Sequence, residues 1–178
     1  MATYYSDHFG TLDATDTVGL SSPEAGYKVD PGAGHGRKRY KRMQANVPDQ
    51  MAADDKIILG QFRTSDRIID VTHTADDLSV GAATMDLGFF YSGANHDGAE
   101  LDRDVFEDGL SVAAAVTRTS VFEGASLGDL DYGKYVWELC GLSEAPRPQA
   151  VDLVFYLATG PADLGGTYLV EVEYTAGD

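Results

Sequence analysis

Cysteine occurs once in this 178-residue chain, at Cys140, so no internal disulfide can form and a scaffold held by disulfides is excluded. Positive charge is scarce as well: 13 Lys and Arg stand against 29 Asp and Glu, a formal net charge of −16. No uncharged apolar run approaches the ~20 residues of a membrane-spanning helix. The opening residues, MATYYSDHFG, have neither the basic start nor the apolar run of a signal peptide. Together these absences lead us to expect a soluble chain that folds where it is made, in a reducing compartment. Several motifs of common chemistries are missing too. There is no P-loop, no His-Glu-x-x-His and no cupin-type His-x-His, so the usual phosphate and zinc sites have no sequence support. No cofactor is expected.

What is present is the composition of a folded domain, 43% hydrophobic and 24% charged, long enough to close a sizeable core without a metal or disulfide staple. The charge is unevenly placed. Residues 1–36 hold one positive side chain, Lys28, and five negative ones; residues 37–42, Arg-Lys-Arg-Tyr-Lys-Arg, hold five positive and none negative. The remaining residues carry seven positive and 24 negative side chains. Such a surface repels nucleic acid and anionic membranes over most of its area, so neither is expected as a partner.

Residues 1–36 read as an extended N-terminal arm. They show no sustained period of 2 or 3.6 and end in the hinge-like Asp30-Pro31-Gly32-Ala33-Gly34-His35-Gly36. Their aromatics, Tyr4, Tyr5, Phe9 and Tyr27, suit a segment that docks onto a neighbour better than a solvated tail. Residues 37–178 read as one β-sandwich domain. Lys56 to Phe62 is largely apolar on both faces, as a central or sandwich strand would be, and Arg63 to Asp66 supplies a turn. In the next run Ile69, Val71 and His73 alternate against Asp70, Thr72 and Thr74. Met85, Leu87, Phe89 and Tyr91 share one side, as do Val151, Leu153, Phe155 and Leu157, and again Tyr168, Val170, Val172 and Tyr174. The connector 160–166 can join the last two strands as a hairpin. The second half of 111–122 is expected as strand. A helix is expected over 131–140, with Tyr135, Val136, Leu139 and Cys140 on one face and Gly141 as its stop, and a second helical turn over 103–108. The fold class is therefore all-β: a jelly-roll-like sandwich with one or two short helices.

Few residues are candidates for chemistry. His8, His35, His73 and His96 are far apart and form no ligand pair, and His73 on a strand face reads as a packed or hydrogen-bonded side chain. Cys140 has no neighbouring base or cation in sequence and reads as a small buried hydrophobe. The stretch 95–104 places Asp97, Glu100, Asp102 and Asp104 at spacings that could wrap calcium, although they do not match an EF-hand loop. A solvated inter-strand loop and a helix cap at Asp102 or Asp104 are the plainer readings. Paired glycosidase carboxylates are not singled out among 29 acids.

The basic run is the sharp local anomaly. Strand alternation sends Arg39 and Lys41 one way and Lys38, Tyr40 and Arg42 the other. Three accounts compete: a phosphate-contacting strip, an edge strand whose cations block sheet-to-sheet aggregation, and a strip that docks into an acidic patch of a partner or of another copy.

Beyond these features, Val47 to Gly60 followed by Asp66-Arg67-Ile68-Ile69-Asp70-Val71 is similar to a pattern of small virion proteins of tailed bacteriophages. There an acidic-x-hydrophobic-hydrophobic strand precedes a hydrophobic-hydrophobic-Asp strand. The resemblance continues in Thr84 to Phe90, Val136 to Leu142, Asp152 to Phe155 and Gly166 to Tyr174, and covers about residues 40–175. It implies a capsid decoration, or cement, protein: a β-sandwich without catalytic residues that sits on the capsid exterior, often as a trimer. The implied partners are the major capsid protein and other copies of the chain, and the implied location is the virion exterior after synthesis in the host cytoplasm. Tyr4, Tyr5, Phe9, Arg37, Lys38, Arg39, Lys41 and Arg42 are the expected contact residues. Two rival readings remain. A carbohydrate-binding or host-attachment module would use Tyr91, Tyr132 or Trp137, and a sandwich hydrolase would work around Asp97 to Asp104.

Overall fold

The computed structural model describes residues 38–49, 51–78, 83–94, 98–122, 127–128, 131–144, 147, 149–159 and 164–177. Eight strands are formed there: β1 Lys38–Val47, β2 Lys56–Arg63, β3 Arg67–Ala75, β4 Thr84–Tyr91, β5 Glu100–Ser111, β6 Val116–Ser120, β7 Ala150–Thr159 and β8 Gly166–Thr175. One short helix, α1 Val136–Leu139, precedes β7.

The strands make two four-stranded antiparallel sheets, ordered β1-β8-β3-β6 and β2-β7-β4-β5. The ladders β1·β8, β2·β7, β3·β6 and β4·β5 are nested like one long folded ribbon. Successive pairs alternate between layers, which is the jelly-roll form of the sandwich. The core is the set of inward side chains the alternation marks. Met85, Leu87, Phe89, Val151, Leu153, Phe155, Leu157, Tyr168, Val170 and Val172 are all essentially inaccessible. Burial of apolar area on this scale is the main stabilising term.

Several expectations need correction. The strands at 151–157 and 167–174 do not form a hairpin: β7 and β8 belong to opposite sheets, and residues 160–163 of the expected connector lie outside the described residues. Arg63–Asp66 is a turn, as expected, closed by Asp66 N–H donating to the Arg63 carbonyl at 3.0 Å, and it leads from one sheet to the other. Of the two positions expected for it, strand β2 takes the sandwich one, at a sheet edge; on its second apolar face Ile58 packs against a small outer cluster of Phe90, Val154 and Tyr156. A bulge at Ile69, between the pairs Ile68↔Tyr174 and Asp70↔Glu173, puts Ile68 in the core in place of Ile69.

Residues 103–108 are strand, within β5, not a helical turn, so Asp102 and Asp104 cap no helix. There β5 sets four residues, 103–106, against one of β4, Gly88, between the pairs Leu87↔Glu107 and Phe89↔Asp102. The expected helix at 131–140 shrinks to one turn because its first residues pair with β3. Gly133 N–H donates to the Ile68 carbonyl at 2.8 Å, and Ile68 N–H to that of Lys134 at 3.1 Å. Gly141, at φ +69, ends it as expected.

Candidate functional site: the basic edge strand and its cleft

Strand β1 lies at a sheet edge and pairs with β8 through ten residues without a bulge, from Lys38↔Thr175 to Val47↔Gly166. Among the described residues its other edge has no ladder partner. The two faces of the basic run have different surroundings. On the outer face Lys38 meets Glu173 at 3.3 Å and Arg42 meets Glu171 at 3.8 Å. Arg118, on β6, also reaches Glu171, at 2.8 Å. A hydrogen bond from Tyr40, then that of Arg118, holds the Glu171 carboxyl below its usual range. Half of the strip is thus neutralised by its own sheet.

The other face looks across the seam between the two sheets. Lys41 donates to the Gln61 carbonyl and lies 4.6 Å from the centre of the Phe62 ring. Met43 fills the space over Gly60, where a β-carbon would stand 2.2 Å from its sulfur. Beyond Lys41 the seam opens into a cleft of about 430 Å³ lined by Arg39, Gln61, Phe62, Arg63, Asp66 and Tyr174, among others. Asp66 is buried and its oxygens are used: one accepts from Arg63 N–H at 2.8 Å, the other from Gly177 N–H at 3.1 Å. Arg39 and Arg63 are exposed, and no ion pair joins either to a carboxylate among the described residues. The sequence singled out Arg39 but not Arg63, Phe62 or Tyr174, which only the meeting of the β1 and β2 edges brings together.

The acidic candidates do not converge there. Glu100, Asp102 and Asp104 lie along β5, and Asp97 falls outside the described residues. Among the described residues no group of three His, Cys, Asp or Glu could hold a metal ion. Burial lifts the Asp102 carboxyl to about 6, and the hydrogen-bonded Asp104 beside it adds to the effect. Cys140 is buried, and burial pushes its thiol well up, which disfavours the reactive thiolate. His73 is buried with Nδ1 3.3 Å from the Tyr168 hydroxyl, and burial lowers its pKa. Both residues sit in the packed interior, as the plain readings had them.

The aromatics of the glycan reading are engaged separately. Tyr132 stacks on Phe122 at 4.3 Å, Trp137 stacks with Tyr135 at 6.2 Å, and Tyr91 packs against the main core. Tyr4, Tyr5, Phe9 and Arg37 lie outside the described residues.

No protein-family model matches the chain, and neither does any curated protein. Among solved structures, a chain in the capsid of Ralstonia phage GP4 is similar at TM-score 0.58 and 19% identity, over 80% of this chain and 86% of that one. A chain of the cyanophage Pam1 capsid asymmetric unit is similar at TM-score 0.49 and 18% identity, over 94% of this chain and 98% of that one. At such identities the likeness is one of fold, and the eight-stranded sandwich described above is a fold that a phage capsid chain also adopts.

Proposed function

We infer that this protein is a structural component of a phage virion, a decoration protein that binds the outside of the major capsid shell and stabilises it. The observation that carries the reading is the fold shared with a chain of the Ralstonia phage GP4 capsid over 80% of this chain and 86% of that one. The surface supports it physically. A net charge of −16 keeps a concentrated protein soluble, while the β1 run and the arm ahead of it supply the adhesive part. Weak contacts suffice for such a protein, because repetition over a shell multiplies them. In this reading the protein has no catalytic role, acts as a homo-oligomer such as a trimer, and meets the shell through residues 1–36 and Arg37 to Arg42.

The test is co-sedimentation of purified full-length protein with empty shells, followed by image reconstruction. Binding at symmetric outer positions is expected. Removal of residues 1–36, with circular dichroism confirming the β fold, should abolish binding; retained binding removes the arm from the argument, and no binding by the intact chain removes the reading. Tyr132, 43% exposed over Phe122, favours a second reading, a glycan-binding module, which a glycan array would reveal.

A further inference from the structure

The cleft at the β1–β2 seam combines features that the outer faces of the sheets do not. Its floor is aromatic: Phe62 is 3% exposed and meets Tyr174 edge-on at 5.2 Å. Its rim is cationic, with Arg39 from one sheet and Arg63 from the other, and Lys41 alongside over Phe62. Among the described lining residues the one acid, Asp66, has its oxygens committed to backbone N–H groups. Three cations against one spent carboxylate leave a local positive excess on a strongly negative molecule. Guanidinium groups bind carboxylates in paired, planar geometry, and an aromatic floor between them favours a ring over an aliphatic chain.

We propose that this cleft is a docking site for an acidic, aromatic-bearing segment of a partner protein, whose carboxylates pair with Arg39 and Arg63 while its ring rests against Tyr174. The described surface of a second copy does not offer that ligand. Its exposed large hydrophobics are Tyr40 and Tyr132. The acids beside Tyr40, Glu171 and Glu173, are already paired with Arg42, Arg118 and Lys38, and the acid beside Tyr132, Asp131, is bonded to Lys134 and to Gly128 N–H. The proposal deepens the adhesive reading above and rests on it: the partner is a protein of the shell that the molecule decorates.

The probe is the acetylated and amidated pentapeptide EDYDE, titrated into isotope-labelled full-length protein while the side-chain N–H signals of Arg39 and Arg63 are followed by NMR. Saturable shifts of both are expected, weakening as salt rises from about 0.05 to 0.5 M. SSYSS should bind about tenfold more weakly and KKYKK should cause no shift. Arg39→Glu with Arg63→Glu should abolish the response, and the milder Arg39→Gln with Arg63→Gln should weaken it in the same order. Unmoved arginine signals, undiminished binding by both double variants, or sedimentation showing that the cleft already holds a second copy would each overturn the assignment. The experiment needs no capsid, so loss of shell binding with intact peptide binding sinks the virion reading alone.

Discussion

Asp102 is the residue whose protonation the fold shifts most usefully for experiment. Its pKa rises from 3.8 to about 6, first through burial and then through Asp104. A carboxyl raised in this way contributes its stability in full below pH 3.8 and loses it as pH rises through about 6. At neutral pH the charged form is therefore a penalty, and Asp102→Asn should relieve it. We expect the variant to be more stable than wild type at pH 7 by about 1 kcal/mol, a figure reduced for partial solvent screening, with the advantage gone near pH 4. Urea titrations at the two pH values check this, and a pH-independent difference would contradict it. Gly88 makes the opposite kind of demand. A β-carbon there would lie 2.2 Å from the Asp102 carbonyl oxygen and 2.4 Å from the Arg103 carbonyl carbon. Backbone cannot swing aside as a side-chain tip can, so Gly88→Ala should cost about 3 kcal/mol, read as a lower denaturation midpoint at unchanged slope.

At the scale of elements, β1 is held to its sheet by the ten-residue ladder and the inward Met43 and Val47 more than by its charges. Glu171 gathers Tyr40, Arg42 and Arg118, yet these are surface groups, so Glu171→Gln should cost less than about 1 kcal/mol. Truncating Val170, fully buried behind it, should cost about 2 kcal/mol or more. Chemical denaturation of both variants decides the order.

The same contrast explains what could be read from the chain. The period-2 runs at 84–91, 151–157 and 167–174 name their core faces because alternation is a local property. Pairing is not local. The Gly-Pro-rich connector before β8 carries a hairpin composition, yet the nested ribbon sends β7 and β8 to different sheets. The bulge at Ile69 and the extra residues in β5 leave no mark in a pattern of apolar positions. The candidate site divides in the same way. Arg39 and Lys41 were legible as a charge anomaly, whereas Arg63 joins them only through an arch between layers. Nor could sequence tell that Lys38 and Arg42 would spend their charge on Glu173 and Glu171 of β8.

For the whole molecule, a single core shared by both sheets predicts one cooperative transition. Trp137 fluorescence and far-ultraviolet circular dichroism should give superimposable denaturant curves, and refolding should take milliseconds to seconds because most ladders join residues far apart in sequence. Self-repulsion at net charge −16 predicts that moderate salt raises the thermal midpoint; a midpoint that falls with added sodium chloride would show the surface pairs outweighing the net charge. The outermost ladder has a mechanical corollary. Lys38 stands opposite Thr175, so tension applied between the two ends of the sandwich would peel β1 from β8 one hydrogen bond at a time, where a lengthwise pull would load them all at once. Tethered by those ends, the sandwich should open at low force, from its rim inward.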